Sequence, residues 1–229
     1  MAALIGCLAL LPGVSRSETI STTAELLGNK GALAYVLSPP MMTALFRLGA
    51  DEDKKFGLQL DCKTQYQVKP SSALLLKPID FIDGSPHPPR GMWLVRYRLD
   101  RCGDAKSYNA LFIADPAGGA PVSKAFYPGS TNAGPVLVSD AIKPAATTAL
   151  FVSGLKHCDN NDVFDMRVTQ AAHDVIEDQK IYRGVWNEIW TFRTCGQMVN
   201  VAMRFTPDGS GGTDFTAAPV KPGDPAKLP

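Results

Sequence analysis

No apolar run in this 229-residue chain reaches the roughly 18–20 residues that a bilayer-spanning helix needs. Neither sign of charge dominates: Lys and Arg number 23, Asp and Glu 22, and the formal charge is +1. That balance argues against a nucleic-acid binder working by bulk electrostatics and against a polybasic membrane-surface protein. No CxxC pair occurs, which removes the common zinc and thioredoxin-like spacings. The three histidines, His87, His157 and His173, fit no ligand pattern such as HExxH, and there is no GxSxG nucleophile elbow. No metal and no cofactor are therefore expected. With 45% hydrophobic and 20% charged residues, the chain is also too apolar to be disordered as a whole.

What is present begins with Ala2 to Val14, an apolar stretch of signal-peptide length followed by Ser15-Arg16-Ser17. This predicts a secretory signal over residues 1–17, although no Lys or Arg precedes the stretch; the alternative is an N-terminal core segment. Leu4-Ile5-Gly6-Cys7 resembles a bacterial lipobox, but apolar LALLPGV follows Cys7 where a lipoprotein has a polar tether, so a lipid anchor ranks below simple secretion. Without Cys7, the chain keeps Cys62, Cys102, Cys158 and Cys195, an even number. Two structural disulfides in a periplasmic or extracellular compartment account for them economically.

Residues 93–119 resemble residues 186–212 at a constant offset of 93. Trp93 meets Trp186, Tyr97 meets Trp190, and Cys102-Gly103 meets Cys195-Gly196. Phe112 meets Phe205, Asp115 meets Asp208, and Gly118-Gly119 meets Gly211-Gly212. Upstream, Thr43-Ala44-Leu45-Phe46 recurs as Thr148-Ala149-Leu150-Phe151, with Pro39 matching Pro144, while Cys62 matches Cys158 at a smaller offset. On that alignment the first copy holds extra residues, expected as an exposed loop over Gly49–Lys55. Self-similarity at fixed spacing indicates duplication. The predicted organisation is a signal over 1–17, a first β repeat over 18–134, a second over 135–216, and a mobile Pro-rich tail over 217–229.

The alternation is that of strands. Leu58, Leu60, Cys62, Thr64, Tyr66 and Val68 share one face of a predicted strand. Trp93, Val95, Tyr97 and Leu99 line another, which turns at Cys102-Gly103-Asp104 and returns through Tyr108, Ala110 and Phe112. The second copy repeats this with Trp186, Trp190 and Phe192, then Val199, Val201, Met203 and Phe205. Each Cys falls off the aromatic register, so a bulge or turn must redirect it. Phe164, Met166 and Val168 predict a further strand, and short ones are expected at 136–138 and 149–152. Helix is expected only at Ala24–Leu27, capped by Ser21 or Thr22, and from Gln170 to Asp178, capped by Thr169. The fold class is mainly β: an antiparallel β-sandwich, or two tandem packed β-domains related by internal duplication, with one or two short helices. Equivalent halves favour the pairings Cys62–Cys102 and Cys158–Cys195.

Glu188 is the sharpest anomaly. It sits between Trp186 and Trp190 on an apolar face, where the first copy has Val95. A carboxylate there needs a cation or a function. Either it binds a ligand or donates a proton in an aromatic cleft, or it lies on an edge paired with Arg193 or Arg204, or exposed. Trp93, Tyr97, Trp186 and Trp190 form either an aromatic ligand platform or core packing. The loops Asp208–Asp214 and Asp159–Asp162 carry oxygens that could suit calcium, but neither has the glutamate of an EF-hand, and ordinary Gly/Asp turns explain them. The expectation is an exported, non-catalytic module that binds an unknown protein or small-molecule ligand. Two alternatives are an extracytoplasmic hydrolase using Glu188 with Asp165 or Glu177, and a structural subunit of a cell-envelope assembly.

Overall fold

The computed structural model describes residues 28–58, 66–155 and 157–220. The predicted signal, the Ala24–Leu27 helix, Cys62 and most of the first predicted strand lie outside the described residues.

Two helices open the described chain: α1 over Lys30–Val36 and α2 over Pro39–Lys55. Four strands follow, β1 Gln67–Asp80, β2 Arg90–Arg101, β3 Asp104–Ile113 and β4 Val122–Phe126. Then comes α3 over Pro135–Ser153, and β5 Asn161–Glu177, β6 Lys180–Thr194, β7 Gln197–Pro207 and β8 Thr213–Pro219. The strands make two separate antiparallel meanders, β1-β2-β3-β4 and β5-β6-β7-β8. A helix lies on each sheet, and each half has its own hydrophobic core. Of the two β architectures expected, this is the packed tandem pair. Each core is closed by a helix rather than by the opposite sheet.

The halves match position for position. Trp93 is paired across the ladder with Phe112, and Trp186 with Phe205. Both indoles stack on their partner ring, with centroids 5.5 and 4.9 Å apart and planes inclined by 8° and 9°. Trp93, Val95, Tyr97 and Leu99 are all buried, as their alternation predicts. The Cys-Gly pairs are the two central residues of hairpins closed by Arg101–Asp104 and Thr194–Gln197. Cys102 and Gly103 have φ of 53° and 85°, and Cys195 and Gly196 have 46° and 88°. Two successive positive φ values give the turn whose twist suits an antiparallel hairpin. This is how each Cys leaves the aromatic register.

The helices correct the alignment read from the sequence. Gly49–Lys55 is the second part of α2, not an exposed loop, and Gly49 and Asp53 are among its buried residues. Residues 136–138 and 149–152 lie in α3, not in strands. Both helices begin with Pro at the first turn, Pro39 and Pro135, an offset of 96. Proline fits there because that N–H has no intrahelical partner. The buried stripe Leu45, Gly49, Asp53 then matches Ala141, Ala145, Ala149 at the same offset, which is also the spacing from Cys62 to Cys158. The Thr-Ala-Leu-Phe match is thus not a structural equivalence: Leu45 is fully buried, whereas Leu150 is only half-buried. Pro144, read as the counterpart of Pro39, stands inside α3.

The predicted helix at Gln170–Asp178 is strand: β5 runs to Glu177 and turns through Asp178 and Gln179, with φ of 50° and 63°. Val175 and Ile176 pair with Tyr182 and Ile181 across the hairpin, and β-branched residues suit a ladder better than an isolated helical turn. Val163 pairs with Phe192 and Asp165 with Thr191, so Phe164 is bulged out and Met166, rather than Phe164, faces the core. At the other end, β8 continues through Pro219, so Ala217 to Pro219 belong to the sheet and not to the expected tail. One described helix, α3, is long and apolar enough to cross a membrane by length and composition, with a mean hydropathy of 1.3. It nevertheless carries Asp140 and Lys143 and buries Val138, Ala141, Ala145 and Ala149 in the second core.

Candidate functional site

Glu188 follows Trp186 by two residues on β6, so strand alternation sends all three of Trp186, Glu188 and Trp190 toward α3. The carboxylate is 1% exposed and fully surrounded by donors. Its Oε1 accepts from the Trp186 indole N–H (2.8 Å), the Thr131 hydroxyl (2.8 Å) and the Asn132 backbone N–H (2.8 Å). Its Oε2 accepts from the Trp190 indole N–H (2.7 Å). The three N–H bonds are short for their kind, and the four bonds together use both carboxyl oxygens. Arg193 and Arg204 are engaged elsewhere, on the Phe56 carbonyl and on Glu177. Arg96 of the first half donates its Nη2 to the Thr131 carbonyl (3.3 Å), and its charge is favoured by Glu188 against the lowering effect of its own burial. Glu188 therefore fastens the segment that leads into α3 onto the second sheet.

The first half shows what happens without this carboxylate. Val95 occupies the corresponding place and cannot accept a hydrogen bond. The Trp93 indole N–H is buried with no partner among the described residues. Trp93, Tyr97, Trp186 and Trp190 are each 5% exposed or less, and all lie within the two cores.

The first half has its own buried charge cluster, around Asp53 on α2. Arg101 donates Nη1 to both Asp53 oxygens (2.8 Å each), and the Tyr108 hydroxyl donates to Oδ1. Burial pushes the Asp53 carboxyl up, opposed by Tyr108 and Arg101. Asp104 takes a further bond from Arg101 Nη2 (3.2 Å). The sequence reading missed this cluster because it placed Asp53 in a solvated loop.

The carboxylates suggested as catalytic companions of Glu188 are engaged elsewhere. Asp165 pairs with Lys106 of the first half (3.7 Å). Glu177 pairs with Arg204 (2.6 Å) on the solvated hairpin, which pulls its carboxyl below the ordinary range. Arg193 donates to the Phe56 carbonyl at the C-terminal end of α2, where a cation also meets the negative end of the helix dipole.

The two halves meet along these contacts. Lys55 pairs with Asp162 (2.8 Å), and the Phe56 and Phe164 rings meet edge-on at 5.2 Å. Lys106 lies 3.9 Å from the centroid of Phe164, and its ammonium pKa is lowered by burial. Between α2, β4 and the start of β5 lies a cleft of about 270 Å³, lined in part by Glu52, Lys55, Phe126, Tyr127, Ser139 and Asp162. Sequence patterning gave no signal for it, because its walls come from both halves and from the connecting segment.

The remaining candidates have local roles. His87 Nδ1 bonds the Tyr35 hydroxyl (2.8 Å), and His173 Nδ1 the Ala171 carbonyl (3.0 Å); His157 is exposed. Asp208 accepts from the Ser210 and Gly212 backbone N–H groups (2.7 and 2.9 Å), which lowers its pKa, and Asp115 accepts likewise from Ala117 (3.0 Å). Each Asp thus organises its own Gly-Gly loop. Asp162 is held by Lys55, and the Asn160 carbonyl accepts from the Cys195 N–H (2.8 Å). Among the described residues no group of three or more His, Cys, Asp and Glu side chains could hold a metal ion. Cys158 and Cys195 form a disulfide, compatible with an oxidising, extracytoplasmic location. Cys102 is also disulfide-bonded.

The chain matches no protein-family model, and comparison with curated proteins and with solved structures finds no match either.

Proposed function

We propose that the chain is an exported, non-catalytic binding module: a signal over residues 1–17, two disulfide-braced β halves over 18–134 and 135–219, and a small-ligand site where they join. The observation that carries this reading is the occupancy of Glu188. All four of its partners are donors from the protein itself and the side chain is buried, so its oxygens are already engaged and face no open cleft. Catalysis by a carboxylate pair would need two titratable groups converging on one cleft. The junction cleft does hold two carboxylates, Glu52 and Asp162, but Asp162 is paired with Lys55, and the hollow around them is polar with aromatic walls, which suits recognition.

Native mass spectrometry of the protein taken from its own compartment tests the reading. The expected result is a bound small molecule that denaturation releases. Turnover of a glycoside or ester panel that disappears in Glu188→Gln would favour the hydrolase and overturn the binding-module reading.

The structural-subunit reading has one observation in its favour. Residues Lys180–Val185 of β6 extend past the first β6–β7 pair, Trp186–Phe205, so His173–Val185 forms a two-stranded ribbon. Its cross-strand pair Ile176 and Ile181 is 73% and 55% exposed. A photo-crosslinker at position 176 that captured a defined envelope protein in cells, while one at exposed Lys124 did not, would support that role.

A further inference from the structure

Glu52 is the one charged side chain lining the junction cleft that has neither an ion pair nor a hydrogen bond among the described residues. Lys55 and Asp162 are paired with each other at 2.8 Å, and the Ser139 hydroxyl donates to the Pro135 carbonyl at 2.8 Å. The cleft thus holds two carboxylates and one ammonium, leaving one negative charge without a counter-ion. Phe126 and Tyr127 stand on its wall with their rings 5.0 Å apart and inclined by 62°. Both are partly buried against the second core, which holds them in place. A carboxylate beside aromatic faces is the arrangement that recognises organic cations, through charge on one side and ring quadrupoles on the other. A volume of about 270 Å³ admits a small molecule only.

We propose that this cleft binds a small organic ammonium ion, with Glu52 as its counter-ion and the Phe126–Tyr127 pair as its aromatic wall. The proposal rests on the binding-module reading and names the ligand class for that site. Burial raises the Glu52 pKa, Lys55 lowers it, and Asp162, Asp51 and Asp53 push it further up. A bound cation would relieve that repulsion, so ligand and ionised Glu52 stabilise each other.

The test is an amide NMR titration of the disulfide-bonded chain with putrescine and with tetramethylammonium. Butane-1,4-diol and sodium acetate serve as neutral and anionic controls. Saturable shifts confined to Glu52, Lys55, Phe126, Tyr127 and Val163 are expected with the two cations and not with the controls. Glu52→Gln should weaken binding about tenfold, the usual scale for losing one charged partner. Lys55→Met frees Asp162 and should tighten binding by a similar factor; it also carries the test if Glu52→Gln does not fold. Absence of saturation, equal shifts with the diol, or affinities unchanged in the variants would overturn the proposal. A retained ligand of another class in the native mass spectrum, with no response to either cation, would sink the ammonium assignment and leave the binding-module reading standing.

Discussion

Trp93 and Trp186 are the same residue in the same place with opposite fates for the indole N–H. Trp186→Phe removes a donor from a buried carboxylate, whereas Trp93→Phe removes a donor that has no acceptor among the described residues. The loss of ring volume is common to both. Trp186→Phe should therefore cost about 1–3 kcal/mol more than Trp93→Phe in urea denaturation, and equal costs would contradict the cage. The pH dependence of Asp165 has an unusual sign. Burial is the largest influence on this carboxyl and holds it above its ordinary 3.8, although Lys106 and Arg167 pull it down. The folded chain then holds the proton more tightly than the unfolded one. The group's stabilising contribution is full below the unfolded value and is lost as pH rises through the raised folded value. Asp165→Asn should accordingly be less damaging at about pH 7 than at about pH 4, measured as the difference between two stability curves. Glu188 was legible in the sequence as an anomaly, because Val95 stands at the matching position. Its partners were not, because Thr131 and Asn132 lie 57 and 56 residues away and outside the matched segments 93–119 and 186–212.

At the scale of elements, the central strands were readable, whereas the helices, most of β1, and all of β4 and β8 were not. Large apolar residues at period two mark β2, β3, β6 and β7. By contrast, α3 buries Val138 and three alanines, a stripe too small to stand out, and Pro144 within it reads as a breaker. The ribbon of β5 failed in the other direction, since Ala171, Ala172, Val175 and Ile176 fit a helical stripe as well as a strand. The hairpin turns offer a sharper test. Cys195 holds a left-handed backbone that glycine adopts freely and a β-branched residue resists. Both Cys195→Gly and Cys195→Val lose the disulfide to Cys158, whose closed loop spans a sequence separation of 37. That loss should cost about 2–4 kcal/mol. Cys195→Val should cost about 1 kcal/mol more than Cys195→Gly, read from melting in oxidising buffer.

In the whole molecule, two cores share a chain but not their side chains. Leu45 is fully buried in the first core, and Leu45→Ala should cost about 2–5 kcal/mol there. Hydrogen exchange should then quicken across β1–β4 while β7 and β8 keep their protection. Uniform quickening would mean that the junction couples the halves more strongly than its ion pairs and ring contacts suggest. The duplication was visible in outline from Trp, Cys and Gly, the residues with least freedom to vary in a stacked pair or a tight turn. The junction was not, because Lys55, Lys106, Asp162 and Phe164 follow no period. The separation of the cores has a practical consequence for spectroscopy. All three tryptophans of the chain are buried, one in the first core and two in the second. Excitation above the tyrosine absorption therefore reads these three indoles alone: one in the first core and two in the second whose N–H groups are bonded to Glu188. Replacing Trp93 alone leaves a signal that belongs to the second half, and unfolding of either half can be followed by light without attaching a dye.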